Sequence, residues 1–188
     1  MTDAVLAPAV ELARKYLVAL EPRWTHVQAV GRAAEQVCRE HGVVPDMAAA
    51  AWVHDIGYAP ELVVTGFHPL DGALYLSSIG ASDVVVSLVA HHSGACFEAE
   101  ERGLQGLLAE IPEPPADLMD VLTFIDMTTG PTGEAVTIDH RLDEILGRYP
   151  ASDPVHRAVT RSGPSLRAAA ARAALRLGLS DVGPVSVL

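Results

Sequence analysis

The fold of this chain turns on residues 45–57, PDMAAAAWVHDIG. Pro45 suits the first turn of a helix, where its missing N–H costs nothing. From Met47 to Val53 every side chain is apolar, so this helix has no polar face and is expected to be buried on all sides. His54 and Asp55 follow it directly, and Gly57 ends the run. Polar groups at the end of such a helix lie where water cannot satisfy them, and they need partners inside the fold.

On either side the punctuation is helical. Residues 3–20 place Val5, Ala9, Leu12, Tyr16 and Leu20 at helical spacing, which predicts a surface helix and not a secretion signal. Pro22 opens a second helix that runs to His41 before Gly42. Beyond the central stretch, Pro69 begins a helix that stops at Gly80, and Ser82 can cap another over Asp83–His91. Residues 93–114 read as an excursion with one short helix inside it. Pro115 starts a helix through Met127, the turn-rich TTGPTGEAVT follows, and residues 139–148 and 153–177 are two more helices. Residues 180–188 read as a frayed tail. Alternating strand patterns are nearly absent, so the expectation is an all-α bundle forming one domain over 1–188.

Composition narrows the function. The 188 residues are 49% hydrophobic and carry a net charge of −11, with no local Lys/Arg cluster, which disfavours a nucleic-acid polymer as partner. The longest apolar runs fall far short of the ~20 residues that cross a bilayer, so no membrane partner is expected. Cys38 and Cys96 have no CxxC spacing, and a disulfide framework is not expected. A cytoplasmic protein fits these features, and a homo-oligomer is compatible with them.

Polar residues that interrupt apolar helices carry the chemistry. Besides His54 and Asp55, Asp126 lies inside VLTFIDM. A lone ionised carboxylate in that setting costs several kcal/mol and calls for a cation. The sequence offers few: only Arg39 lies within twenty residues before Asp55, and no Lys or Arg falls between Arg102 and Arg141. Histidines gather instead, at His26, His54, His68, His91 and His92. Imidazole and carboxylate without a neutralising base are what a divalent metal site requires. Each residue alone has an ordinary reading: His26 as a surface or core residue, His68 as a helix-entry residue, Asp126 held by a backbone amide or a buried hydroxyl. Their joint pattern favours the metal.

The order His26, His54-Asp55, Asp126 resembles the H…HD…D motif of the HD-domain superfamily of metal-dependent phosphohydrolases. HDIG at 54–57, HPLDGA at 68–73 and HHSG at 91–94 look like the further histidine motifs of its two-metal, HDIG-type subgroup. The resemblance covers roughly residues 22–130. It implies one metal held by His26, His54, Asp55 and Asp126, with Asp55 bridging to a second completed by His68 and by His91 or His92. Two divalent ions, drawn from Mn, Fe, Co, Zn or Mg, would then activate water against a phosphate ester or anhydride, with Asp55 and His54 as catalytic residues. The implied substrate is a small phosphorylated molecule, a nucleotide in the leading reading.

Departures from the better-known branches matter as well. Phosphodiesterases that open cyclic di-GMP carry a lysine after HDIG, where this chain has Tyr58, and Pro22 stands where they place a metal-binding glutamate. HHSG and FIDM are loosely similar to a branch that cleaves diadenosine tetraphosphate. Two-iron oxygenases resembling myo-inositol oxygenase share the ligand set, so a di-iron oxygenase is the alternative, followed by a non-catalytic nucleotide-sensing module. For substrate binding, the hydroxyls of Thr128 and Thr129 can meet phosphate oxygens or belong to an ordinary helix-ending turn. Arg141 suits phosphate, although pairing with Asp139 or Asp143 on its own helix is the favoured reading. Tyr58 either lines the pocket or packs there. Arginines 157, 161, 167, 172 and 176 read as a solvated face, and His41 and His156 as surface residues.

Overall fold

In the computed structural model, residues 3–179 are described, and the expected tail over 180–188 lies outside them. The helix over 45–53 (α3, Pro45–Val53) sits at the centre with every residue from Met47 to Val53 buried. Helices α1 (Asp3–Leu17), α2 (Arg23–His41), α5 (Asp83–His91) and α8 (Ala116–Met127) pack around it. An apolar helix has no low-energy place at a surface; enclosure removes each large side chain from water, worth about 1.5–3 kcal/mol apiece.

The remaining elements follow local chemistry. Gly42 ends α2 in the left-handed conformation at φ 68°, and Ser82 Oγ caps α5 by accepting the Val85 N–H at 3.3 Å. Helix α4 (His68–Ser78) packs on α5, and α10 (Pro154–Arg176) lies across α8, α6 (Ala95–Arg102) and α9 (Ile138–Arg148). No strand occurs among the described residues; one isolated bridge pairs Thr129 with Ala135. The all-α expectation stands. The apolar core is one contiguous cluster that draws on α1 through α10.

Three expectations need correction. The stretch 93–114 holds two short helices, α6 and α7 (Gln105–Leu108), where one was expected. His156 is half-buried, and its Nδ1 lies 3.2 Å from the Leu146 carbonyl and 3.0 Å from that of Tyr149, closing the turn between α9 and α10. The arginine row on α10 is more than a solvated face. Arg157 and Arg161 reach Glu101 on α6, Arg167 reaches Asp139 on α9, and Arg172 grips Asp120 on α8 with bonds of 2.8 and 2.6 Å. Those partners are distant in sequence, so an alternation of charge along one helix does not reveal them.

Candidate metal centre

Close backbone packing brings the motif residues together. After α3 the chain turns through a 3-10 turn, Ile56–Tyr58, which lies directly against the start of α4. A Cβ on Gly57 would fall 2.1 Å from the His68 carbonyl oxygen and 2.6 Å from the Gly72 nitrogen. Only glycine permits that approach, and the approach sets His68 beside Asp55. The loop before His68 is clamped by Asp71, whose buried carboxylate accepts from Thr65 N–H and Thr65 Oγ1, both at 2.7 Å, and from Gly66 N–H at 3.0 Å. Asp71→Ala is therefore expected to loosen His68 and weaken metal binding about 10- to 100-fold, the usual effect of losing a group that orients a ligand. Titration of metal into the purified variant checks this; unchanged affinity would limit Asp71 to loop stability.

His26, His54 and Asp126 form one group whose ligand atoms lie within 4.8 Å of one another, and Asp55, His68 and His92 form a second. His26 Nε2 is 3.1 Å and His54 Nε2 3.8 Å from Asp126 Oδ1. Asp55 lies between the groups: Oδ1 is 3.4 Å from His68 Nε2 and 3.9 Å from His92 Nε2, while Oδ2 is 3.6 Å from His54 Nε2. Three imidazoles are oriented from behind by backbone carbonyls. The Nδ1 of His26 meets Gly130 O at 3.0 Å, that of His54 meets Ala51 O at 2.8 Å, and that of His92 meets Val89 O at 2.7 Å. A carbonyl only accepts, so at His54 and His92 Nδ1 carries the proton and Nε2 turns its lone pair inward, whereas His26 meets acceptors at both nitrogens, Gly130 O and Asp126 Oδ1.

The electrostatics follow from burial and neighbours. Burial alone raises the Asp55 pKa, but Arg23, with His54, His68 and His26, outweighs it and holds the carboxyl well below the usual range. For Asp126 burial again works upward, and the His26 hydrogen bond with the charges of His54, His26 and Arg141 holds it low. Burial depresses His68 and His92 below the ordinary imidazole value, with Asp55 opposing in both. At neutral pH Asp55 and Asp126 are therefore ionised, and His68 and His92 are neutral.

A divalent cation fits this arrangement. His54 Nε2 is buried and has no hydrogen-bond partner among the described residues, although carboxylate oxygens lie 3.6 and 3.8 Å away. A lone pair turned toward two anions is repulsive unless a cation lies between them.

The structure separates the adjacent histidines. Helix α5 ends at His91, and the turn at His92–Gly94 sends His92 to the centre. His91 is instead bonded through Nε2 to Ile111 O at 2.9 Å, with Nδ1 3.7 Å from Glu113. It stands outside both groups. The Thr128 and Thr129 hydroxyls donate to the Phe124 and Ile125 carbonyls at 2.7 and 2.8 Å, and neither residue lines the cavity over the centre. These threonines terminate α8 and are withdrawn from the site. Tyr58 and Arg141 do line that cavity, and Arg141 pairs with Glu144 at 2.6 Å, in place of the expected Asp139 or Asp143.

Two neighbours of the centre escaped the sequence reading. Arg23 bonds Asp55 Oδ2 at 2.5 Å and lies 3.3 Å over the Tyr58 ring, which stacks on His68. It is the counter-charge to Asp55, 32 positions away in sequence and on another helix. Its signal was available on α2: Arg23 precedes His26 by three positions, so both share a helix face. Ser93 adopts φ 47°, a left-handed conformation unusual for serine, and its hydroxyl donates to Asp126 Oδ2.

The helical bundle thus brings four imidazoles and two carboxylates into two adjacent groups that could hold metal ions. Compared with known families, residues 23–125 match the HD domain, more than half of the chain. The chain belongs to the HD-domain family, a superfamily of metal-dependent phosphohydrolases whose members typically bind divalent metals. Comparison with curated proteins finds no match, and comparison with solved structures finds none. No helix among the described residues is long and apolar enough to cross a membrane.

Proposed function

We propose that the protein is a metal-dependent phosphohydrolase of the two-metal, HDIG-type subgroup, acting on a small phosphorylated molecule, with a nucleotide as the leading substrate. His26, His54 and Asp126 would hold one divalent ion, and Asp55, His68 and His92 the other. The observation that carries this reading is Asp55, whose two oxygens face the two groups, beside the unpartnered Nε2 of His54.

Divalent ions held there would acidify water and neutralise charge on phosphoryl oxygens. The chain's own groups do the rest. Asp55 and Asp126 stay ionised, so they hold cations without a competing proton. Ser93 fixes the Asp126 carboxylate by donating to Oδ2. Tyr58 keeps its proton, because burial and Asp55 raise its pKa, and it can donate a hydrogen bond into the cavity. Met127, Val155, Val159 and Leu166 supply apolar wall that limits water around the centre.

Metal analysis after repletion with Mn, Fe, Co or Zn is expected to find about two ions per chain. A divalent ion at a hundred times its dissociation constant is expected to stabilise the fold by about 2.7 kcal/mol, read as a rise in melting temperature that a chelator reverses. Phosphate release from a panel of phosphorylated small molecules completes the test. Protein that takes up no metal ends this reading, and O₂ consumption by an iron-loaded form without phosphate release would replace it with the oxygenase.

A further inference from the structure

The cavity over the metal centre encloses about 120 Å³, well under the roughly 300 Å³ at which small-molecule sites begin. It shares Arg23, His26, Tyr58, Arg141 and Arg148 with an adjoining cavity of about 340 Å³. Three guanidiniums thus stand where the two cavities meet, in a protein whose net charge is −11.

Two of them share one hydrogen-bonding carboxylate. Arg141 and Arg148 lie seven residues apart on α9, two turns along one face. Both bond the single carboxylate of Glu144, Arg141 at 2.6 Å and Arg148 at 2.5 and 2.7 Å. The other acids that line these cavities are engaged: Asp55 receives Arg23, Asp126 receives Ser93 and meets His26 Nε2, Glu98 receives Arg102 at 2.7 Å, and Glu21 receives Thr25 Oγ1 at 2.8 Å. The α10 arginines at the surface each reach an acid on another helix. Arg141, by contrast, has a side chain only 11% exposed, and its buried Nε has no hydrogen-bond partner among the described residues. A buried donor left without an acceptor costs free energy unless something occupies it. A guanidinium fork matches the oxygens of a phosphoryl group.

We propose that Arg141 and Arg148, which line the same two cavities as Arg23, form an anion subsite beside the metal centre, so that the substrate carries a second phosphoryl group next to the one hydrolysed. This rests on the phosphohydrolase reading for the role of the neighbouring centre, but the subsite itself belongs to the arginines. A diphosphate or a closely spaced bisphosphate places its two groups across the boundary between the cavities. A simple monophosphate leaves the arginines unused.

Isothermal titration of the metal-free full-length protein with methylenediphosphonate and with inorganic phosphate tests this. The diphosphonate is expected to bind at least about tenfold more tightly than phosphate, the margin set by one added charge-assisted pair of bonds. Arg141→Gln/Arg148→Gln should bring the ratio close to one while the helical circular-dichroism spectrum is retained. Glu144→Gln, which removes the competing carboxylate, should tighten diphosphonate binding. A ratio near one in the wild type, a ratio unchanged in the double variant, no tightening in Glu144→Gln, or tighter binding of malonate than of the diphosphonate would each overturn the proposal. No metal is needed for this titration. Its failure leaves the phosphohydrolase reading standing, and protein that binds no metal can still pass it.

Discussion

Asp55→Asn is expected to cost more than about a hundredfold in hydrolysis and to lower metal content at both positions, while the metal-free protein still folds but melts below the wild-type temperature. Both effects come from charge and not from packing. Asparagine keeps the shape of the carboxylate and fills the same buried space, so the packing around α3 and α4 is undisturbed. What it removes is a negative charge that faces His68 and His92 with one oxygen and His54 with the other. Metal affinity depends on that charge directly, whereas loss of even an outer group that orients a ligand already costs about 10- to 100-fold. Folding depends on it too: a carboxyl held well below its usual range stabilises the folded state at neutral pH, and the variant leaves Arg23 without its partner. Asp55→Ala should show the same loss of turnover with a lower melting temperature from the cavity it leaves. Turnover of Asp55→Asn within about tenfold of wild type would remove Asp55 from the centre and the phosphohydrolase reading with it.

Where the sequence was legible, one local rule sufficed; where it was not, the answer lay in a contact between distant elements. The run Met47–Val53 announces its own burial, because no arrangement exposes seven apolar residues cheaply, and the same run marks His54 and Asp55 as residues in need of partners. Asp126 is conspicuous for the same reason. His91 and His92 could not be told apart, since the choice depends on where α5 stops and how the next turn bends, and that bend places Ser93 at positive φ. The Thr128 and Thr129 hydroxyls have two outlets, a ligand or the carbonyls one turn back, and the nearer acceptors won. Arg23 is not legible as the partner of Asp55 because the two are 32 positions apart and meet only when α2 packs against the end of α3. The pairing of α10 arginines with α6, α8 and α9 was hidden in the same way.

Gly57→Ala is the second substitution with a large expected effect, and it separates the role of backbone spacing from that of the ligands. The added Cβ would lie 2.1 Å from the His68 carbonyl oxygen, 2.6 Å from the Gly72 nitrogen and 2.9 Å from the His68 carbonyl carbon. All three are backbone atoms at the start of α4, so no rotamer change relieves the contact. Relief requires α4 to retreat from the turn at Ile56–Tyr58, and His68 retreats with it. Gly72 faces the same seam, where a Cβ would meet Ile56 Cγ2 at 3.1 Å and the Gly57 nitrogen at 3.2 Å, so the helix has little room to slide. Forcing apart well-packed backbone is expected to cost about 3 kcal/mol, near the upper end for overpacking. In a chain of this length that is a fall of about 6–12 °C in melting temperature. The second group should lose metal before the first, because His68 moves and His26 does not. Gly147→Ala is the control: it sits within α9 with nothing inside 4 Å of an added Cβ, and should gain about 0.5–1 kcal/mol. Melting curves of the two variants in chelator, followed by metal titration, read both effects; a Gly57→Ala protein that melts with the wild type would show that the glycine is not what brings His68 to Asp55.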